Sequence, residues 1–143
     1  MAVGQGVARD IPRAIFLLES ACQRREGTGC FGLALIYQSD AYVHGDPVLT
    51  IYFAEKACNL GVAQGCKLAV FRYLNGSMGV AAMDPAVGSA KKGCELSEVD
   101  SCTALGQAFA QGAGVPQDLQ QSRQYFQRAC QFGCKECCQK LAQ

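Results

Sequence analysis

The 143-residue sequence specifies an all-α solenoid, an α/α superhelix of 36-residue helical hairpins. Cys22, Cys58, Cys94 and Cys130 are each 36 residues apart, and Cys30, Cys66, Cys102 and Cys138 repeat the same step. A fixed period of this size marks units that bury their apolar faces only against their neighbours. Apolar residues recur at intervals of three and four within each unit, as in Ile15, Leu18 and Cys22 or Ile51, Ala54 and Cys58. That is the stripe of a helix with one buried face. The expected organisation is one repeat domain over residues 1–143, about three and a half units long.

Each unit reads as two helices. Asp46-Pro47 and Asp84-Pro85 place an N-cap acid before a proline at the first helical position, and Asp10 and Asp118 precede the equivalent segments. From these caps the apolar stripe runs to the first cysteine of each unit, returning in the last at Tyr125, Phe126, Ala129 and Cys130. A turn using Gly27 and Gly29, or Gly61 and Gly65, then reverses the chain. Second helices are expected over 30–38, 66–74 and 102–110, with Tyr37, Tyr73 and Phe109 in register to pack between hairpins. Links such as Gly112-Ala-Gly-Val-Pro-Gln-Asp118 lead to the next cap, with glycine where φ is positive.

The two cysteines of a unit are spaced C-x7-C. If the first ends one helix and the second starts the next, their Cα atoms come within the roughly 4.4–6.8 Å that a disulfide demands. The expected pairs are Cys22 with Cys30, Cys58 with Cys66, Cys94 with Cys102, and Cys130 with Cys138. Each such loop contributes on the order of 2–3 kcal/mol by restricting the unfolded chain. Zinc sites and buried thiols are the alternatives. Zinc sites favour two-residue gaps and histidine, whereas these gaps are seven and His44 is the one histidine. Disulfides persist in oxidising settings, which points to the periplasm or to secretion. The stretch Met1-Ala-Val-Gly-Gln-Gly-Val-Ala has neither a basic start nor an apolar run, so no signal peptide is read there.

Thirteen basic and twelve acidic residues are interspersed, for a formal net charge of +1, which disfavours nucleic acid or an anionic membrane as partner. Half the residues are apolar, yet every run is broken well short of the roughly 18–20 residues a membrane span needs. No metal or cofactor is expected. The glycines follow the repeat, and none belongs to a phosphate-binding loop.

Three strings carry a resemblance. Ala104-Leu105-Gly106-Gln-Ala-Phe109, Gly112-x-Gly114-Val115-x-x-Asp118 and Tyr125-Phe126-x-x-Ala129-Cys130 resemble the Sel-one-like repeat, a relative of the tetratricopeptide repeat. With C-x7-C at a strict 36-residue step, the chain is similar to the Helicobacter cysteine-rich protein family, from Gly4-Gln-Gly6-Val7-Ala-Arg-Asp10, like the tail of a preceding unit, to Leu141. The resemblance implies disulfide-clamped hairpins and a role as a protein–protein interaction scaffold or adaptor rather than an enzyme. Family members include secreted factors that meet host proteins and periplasmic immunity proteins. An opening in mid-unit leaves an apolar flank at Ile15, Phe16 and Leu17 that invites homodimerisation.

In such arrays the second helices line the concave face that holds ligands. By the period, its outward residues are Phe31, Leu35 and Gln38, then Lys67, Phe71, Leu74 and Asn75, then Thr103, Gln107 and Gln111. Phe31, Leu35 and Phe71 are candidate anchors for an extended or helical partner segment, since aromatic anchors in a polar rim are typical hot spots. The alternative places them in the core between repeats.

Two departures from the repeat stand out. Cys134 and Cys137 add a C-x2-C to the last unit, readable as a fifth structural disulfide, an inert pair, a redox or metal pair, or an intermolecular bridge. Ser89-Ala-Lys-Lys92 is an S-x-x-K string of the kind found in penicillin-recognising enzymes, and some members of the resembled family are described as penicillin-binding or weak β-lactamases. No S-D-N or K-T-G string accompanies it, and by period Ser89 replaces Leu17, Phe53 and Tyr125. His44 belongs to no catalytic motif and reads as a solvated loop residue.

Overall fold

Among the described residues a first helix, a three-residue reversal and a second helix recur four times. The computed structural model describes residues 3–39, 45–74 and 83–141, with side chains from Asp10 onward save that of Met83. The first helices are α1 (Val3–Gln23), α3 (Pro47–Asn59), α5 (Met83–Glu95) and α7 (Leu119–Gln131). The second helices are α2 (Gly27–Gln38), α4 (Ala63–Leu74), α6 (Val99–Gln111) and α8 (Lys135–Leu141). Consecutive helices pack on one another, and the main contacts beyond them among the described residues link next-but-one helices, such as α3 with α5 and α4 with α6. That nearest-neighbour pattern defines a solenoid.

The reversals have one recurring conformation. Arg25, Gly61, Ser97 and Gly133 fall at equivalent positions with φ of 66°, 96°, 66° and 112°. Each donates its N–H to the carbonyl of the first cysteine of its hairpin, at 2.9, 3.0, 2.9 and 3.1 Å. The next residue donates five positions back, as in Val62 to Ala57 at 2.9 Å and Glu98 to Gly93 at 2.9 Å. This is a Schellman motif, which satisfies the last carbonyls of the first helix. Because it takes so few residues, the second helices start three residues before the expected 30, 66 and 102, and Gly27, Gly29 and Gly65 lie in helices rather than in the turn.

Gly29 and Gly65 serve close approach instead. A Cβ on Gly65 would lie 2.8 Å from the Ala54 carbonyl oxygen, and one on Gly29 would lie 2.7 Å from Ala21 Cβ. The two helices of a hairpin thus nearly touch, and the cysteines bond across them. Cα separations are 4.7 Å for Cys22–Cys30, 4.6 Å for Cys58–Cys66, 4.7 Å for Cys94–Cys102 and 4.9 Å for Cys130–Cys138.

Caps behave in two ways. Asp46 accepts from the Leu49 N–H at 3.1 Å, and Asp118 accepts from Gln120 and Gln121, each at 3.1 Å. Their own N–H groups are tied to the preceding second helix, at Tyr37 O and Phe109 O, both 2.9 Å. Asp10 is not a cap. It lies inside α1, which starts at Val3 and runs through Pro12 without the tether that turns the chain at Asp46 and Asp118. Asp84 is likewise one residue inside α5, where its charge sits in the first turn and favours the positive end of the helix.

Between hairpins, Tyr37 stacks on Phe53 with centroids 5.8 Å apart, and Phe109 stacks on Tyr125 at 5.6 Å. Facing sizes are complementary at the deeper contact. Ala34 shares a core cluster with Ala54, Val70 shares one with Ala90, and Gly106 leaves room for the Phe126 ring, which would stand 2.8 Å from an added Cβ.

Candidate partner-binding strip

The second helices lie side by side, α2 against α4 and α4 against α6. Leu35 and Phe71 occupy equivalent positions on adjacent helices and are 42 % and 59 % exposed, with Leu74 at 39 %. Such large apolar surface on contiguous helices costs solvation free energy unless something covers it. Phe31 is placed differently. It is half-buried and packs on the cluster formed by Cys22, Cys30, Leu33 and Ala57.

The polar members of the strip are largely engaged. Gln38 accepts from Arg72 at 3.1 Å, and the Thr103 hydroxyl donates to the Val99 carbonyl at 3.0 Å. Lys67 pairs with Asp100 at 2.9 Å. The hydrogen bond that Lys67 donates to Asp100, together with the charge of that carboxylate, raises the Lys67 ammonium above its ordinary value, but both side chains are mostly exposed, so the pair adds little stability. Gln107 and Gln111 are exposed, and Asn75 and His44 lie outside the described residues.

A cleft opens between α4 and α6. Val70, Phe71, Leu74 and Ala104 form its apolar walls, and Lys67, Glu98 and Asp100 stand on its rim. Glu98 and Asp100 are absent from the sequence-derived strip because that strip starts at the second cysteine, whereas α6 begins at Val99. Glu98 caps α6, accepting from the N–H groups of Asp100 and Ser101, both at 3.0 Å.

Ser89, which opens the S-x-x-K string, is buried. Ser89 holds the position of Phe53 and Tyr125, so Tyr73 has no ring to stack on. The Tyr73 hydroxyl instead donates to Glu55, and burial, followed by that hydrogen bond, pushes its pKa upward. Ser89 is buried beside a shallow depression that Glu55 also lines. Cys134 and Cys137 are bonded to each other. Among the described residues no group of three His, Cys, Asp or Glu is arranged to hold a metal ion, and no helix is long and apolar enough to cross a membrane.

A succession of helical hairpins, each clamped within itself by a disulfide and packed on the next, defines a tetratricopeptide-like repeat protein with internal disulfides. The Sel1 repeat model matches residues 2–25, 28–62 and 99–132, more than half the chain, and this chain belongs to the Sel1 repeat family. The fold is that of Helicobacter pylori cysteine rich protein B, with a TM-score of 0.66, 24% identity and 98% of each chain covered. A Sel1 repeat protein from Oxalobacter formigenes aligns with a TM-score of 0.74 at 17% identity, over 91% of this chain and 98% of that one. A protective antigen present in uropathogenic Escherichia coli strains, c5321, aligns at 0.74 and 22% identity, over 87% of this chain and 27% of that one. No curated protein matches the chain in sequence. Sel1 repeats are in general protein–protein interaction scaffolds and typically not enzymes.

Proposed function

We propose that residues 1–143 form one adaptor array, working in the periplasm or after secretion, that holds an apolar segment of another protein on the strip of α2, α4 and α6. The observation that carries this reading is the exposure of Leu35, Phe71 and Leu74 in a row across adjacent helices. Leu35 and Phe71 are the anchors, Leu74 and the cleft walls beside it seat the neighbouring side chain, and Lys67, Asp100, Gln107 and Gln111 form the polar rim. Phe31 supports the strip from beneath. Five disulfides in the chain fit an oxidising compartment. A host protein or a toxic effector is a partner of the kind that family members meet.

Affinity capture from the native compartment, followed by calorimetry on the captured partner, tests this. Phe71→Ala with Leu35→Ala is expected to weaken binding by at least about tenfold, as aromatic anchor losses of 1.4 kcal/mol or more do, with an unchanged melting temperature. A lowered melting temperature with unaltered affinity would return both residues to a structural role.

A second surface supports self-association. Phe16 and Leu17 on α1 are 66 % and 55 % exposed. Sedimentation over a concentration range is expected to show a dimer that Phe16→Ser with Leu17→Ser abolishes; a strictly monomeric wild type removes that reading.

A further inference from the structure

The Cys134–Cys137 disulfide stands outside the 36-residue frame. Its positions are those of Glu98 and Ser101 in the third hairpin, where the carboxylate accepts from the Ser101 N–H at 3.0 Å and from its hydroxyl at 2.9 Å. In the fourth hairpin the Cys134 sulfur accepts from the Cys137 N–H at 3.1 Å, and the covalent bond is added to that contact. The bond therefore spans one turn within a single segment and joins no pair of helices, since Cys130–Cys138 already joins α7 to α8.

Accessibility separates it from the other bridges. The six cysteines of the first three hairpins are at most 2 % exposed, and Cys137 is buried, but Cys134 is partly exposed. Cys130 and Cys138 are also partly exposed, yet opening that bridge frees two packed helices, whereas opening Cys134–Cys137 frees none. The Thr103 hydroxyl lies 3.3 Å from the Cys137 sulfur and 3.9 Å from that of Cys134.

We propose that Cys134–Cys137 is a thiol–disulfide exchange site, with Cys134 the sulfur attacked and Cys137 the one released. A thiolate of an external dithiol attacks Cys134 Sγ, the Cys134–Cys137 bond breaks, and its electron pair leaves on Cys137 as a thiolate. The Thr103 hydroxyl turns from the Val99 carbonyl to donate to that thiolate. The second thiol of the reductant, as its thiolate, then attacks its own sulfur in the mixed disulfide and releases Cys134. The pair gains two electrons and two protons, and the reductant departs as a disulfide. Rates of such exchange depend on access to the attacked sulfur, which partly exposed Cys134 offers, and on the stability of the leaving thiolate, where the Thr103 hydroxyl at 3.3 Å offsets the burial of Cys137.

The test is graded reduction of the oxidised full chain with dithiothreitol, quenched in acid and mapped by alkylation and peptide mass. A two-thiol species labelled at Cys134 and Cys137 is expected to form at least about tenfold faster than any C-x7-C bridge opens, with the helical circular dichroism retained. First labels at Cys130 and Cys138, or spread over several hairpins, would overturn the assignment. Cys134→Ser with Cys137→Ser is expected to abolish the fast phase, and its persistence would do the same. Thr103→Val is expected to slow only that phase by several-fold; an unchanged rate overturns the role given to Thr103.

Discussion

Gly93 and Ser101 meet across the third hairpin where Ala57 and Gly65 meet across the second. A Cβ on Gly93 would stand 2.7 Å from Ser101 Cβ and 2.9 Å from Cys66 Cβ, just as one on Gly65 would stand 2.9 Å from Ala57 Cβ. In each of the first three hairpins one side of that crossing is glycine, and in the third the glycine has changed sides. Gly93→Ala is therefore expected to cost about 1–3 kcal/mol by overpacking. Adding Ser101→Gly recreates the arrangement of the second hairpin and is expected to recover at least about half of that loss, a coupling that a double-mutant cycle in urea reads directly. Additive losses would mean that the two residues do not share the crossing.

Ser89 leaves a gap in the aromatic ladder. Tyr37 has Phe53 and Phe109 has Tyr125, while Tyr73 is left with the Glu55 carboxylate. Ser89→Phe is expected to restore the stack and to stabilise the protein by about 0.5–1.5 kcal/mol, seen as a higher urea midpoint. A lower midpoint would show that the neighbouring depression cannot accept a ring.

The four reversals need a positive φ, and two of them take it without glycine. Ser97→Gly and Arg25→Gly are each expected to stabilise by about 0.5–1 kcal/mol, because a left-handed conformation is costly for a residue with a Cβ. Gly61→Ala and Gly133→Ala should lose a similar amount. Thermal melts of the four variants, each against wild type, check the sign.

Asp118 gives the fold an acid-sensitive cap. Hydrogen bonds from the backbone and side chain of Gln121 hold its carboxyl below the ordinary 3.8. A depressed pKa stabilises the folded state above the unfolded value and loses that contribution as pH falls through the folded one. Asp118→Asn keeps a capping oxygen but no charge, so the difference in stability between wild type and variant is expected to shrink as pH is lowered below 3.8. Urea titrations at several pH values measure it, and a difference independent of pH would sink the account.

Much of this architecture was legible in the cysteines alone. The strict step fixed the repeat, and C-x7-C anticipated the four clamps, because a hairpin reversal leaves few ways to bring those positions together. Helix starts were less legible. A Schellman reversal draws on φ at Arg25 and Ser97, residue types that carry no turn signal, and so the second helices began three residues earlier than expected. Asp10 misled because a cap depends on a tether from the preceding helix, which the residue itself does not encode. On the strip, the period placed Leu35 and Phe71 on one face, but the rim carboxylates Glu98 and Asp100 followed only from where α6 begins. Phe31 occupies the position of Lys67 and yet is drawn toward the core, since period equates positions and not environments.

All four C-x7-C bonds lie inside hairpins, and none ties one hairpin to the next. Stretched by its ends, such a chain yields at the packed faces between units. Each hairpin can then come away as a closed link, and the residues held between its paired cysteines add nothing to the length paid out. Mechanically the molecule is a string of rigid beads whose spacing is set by packing alone.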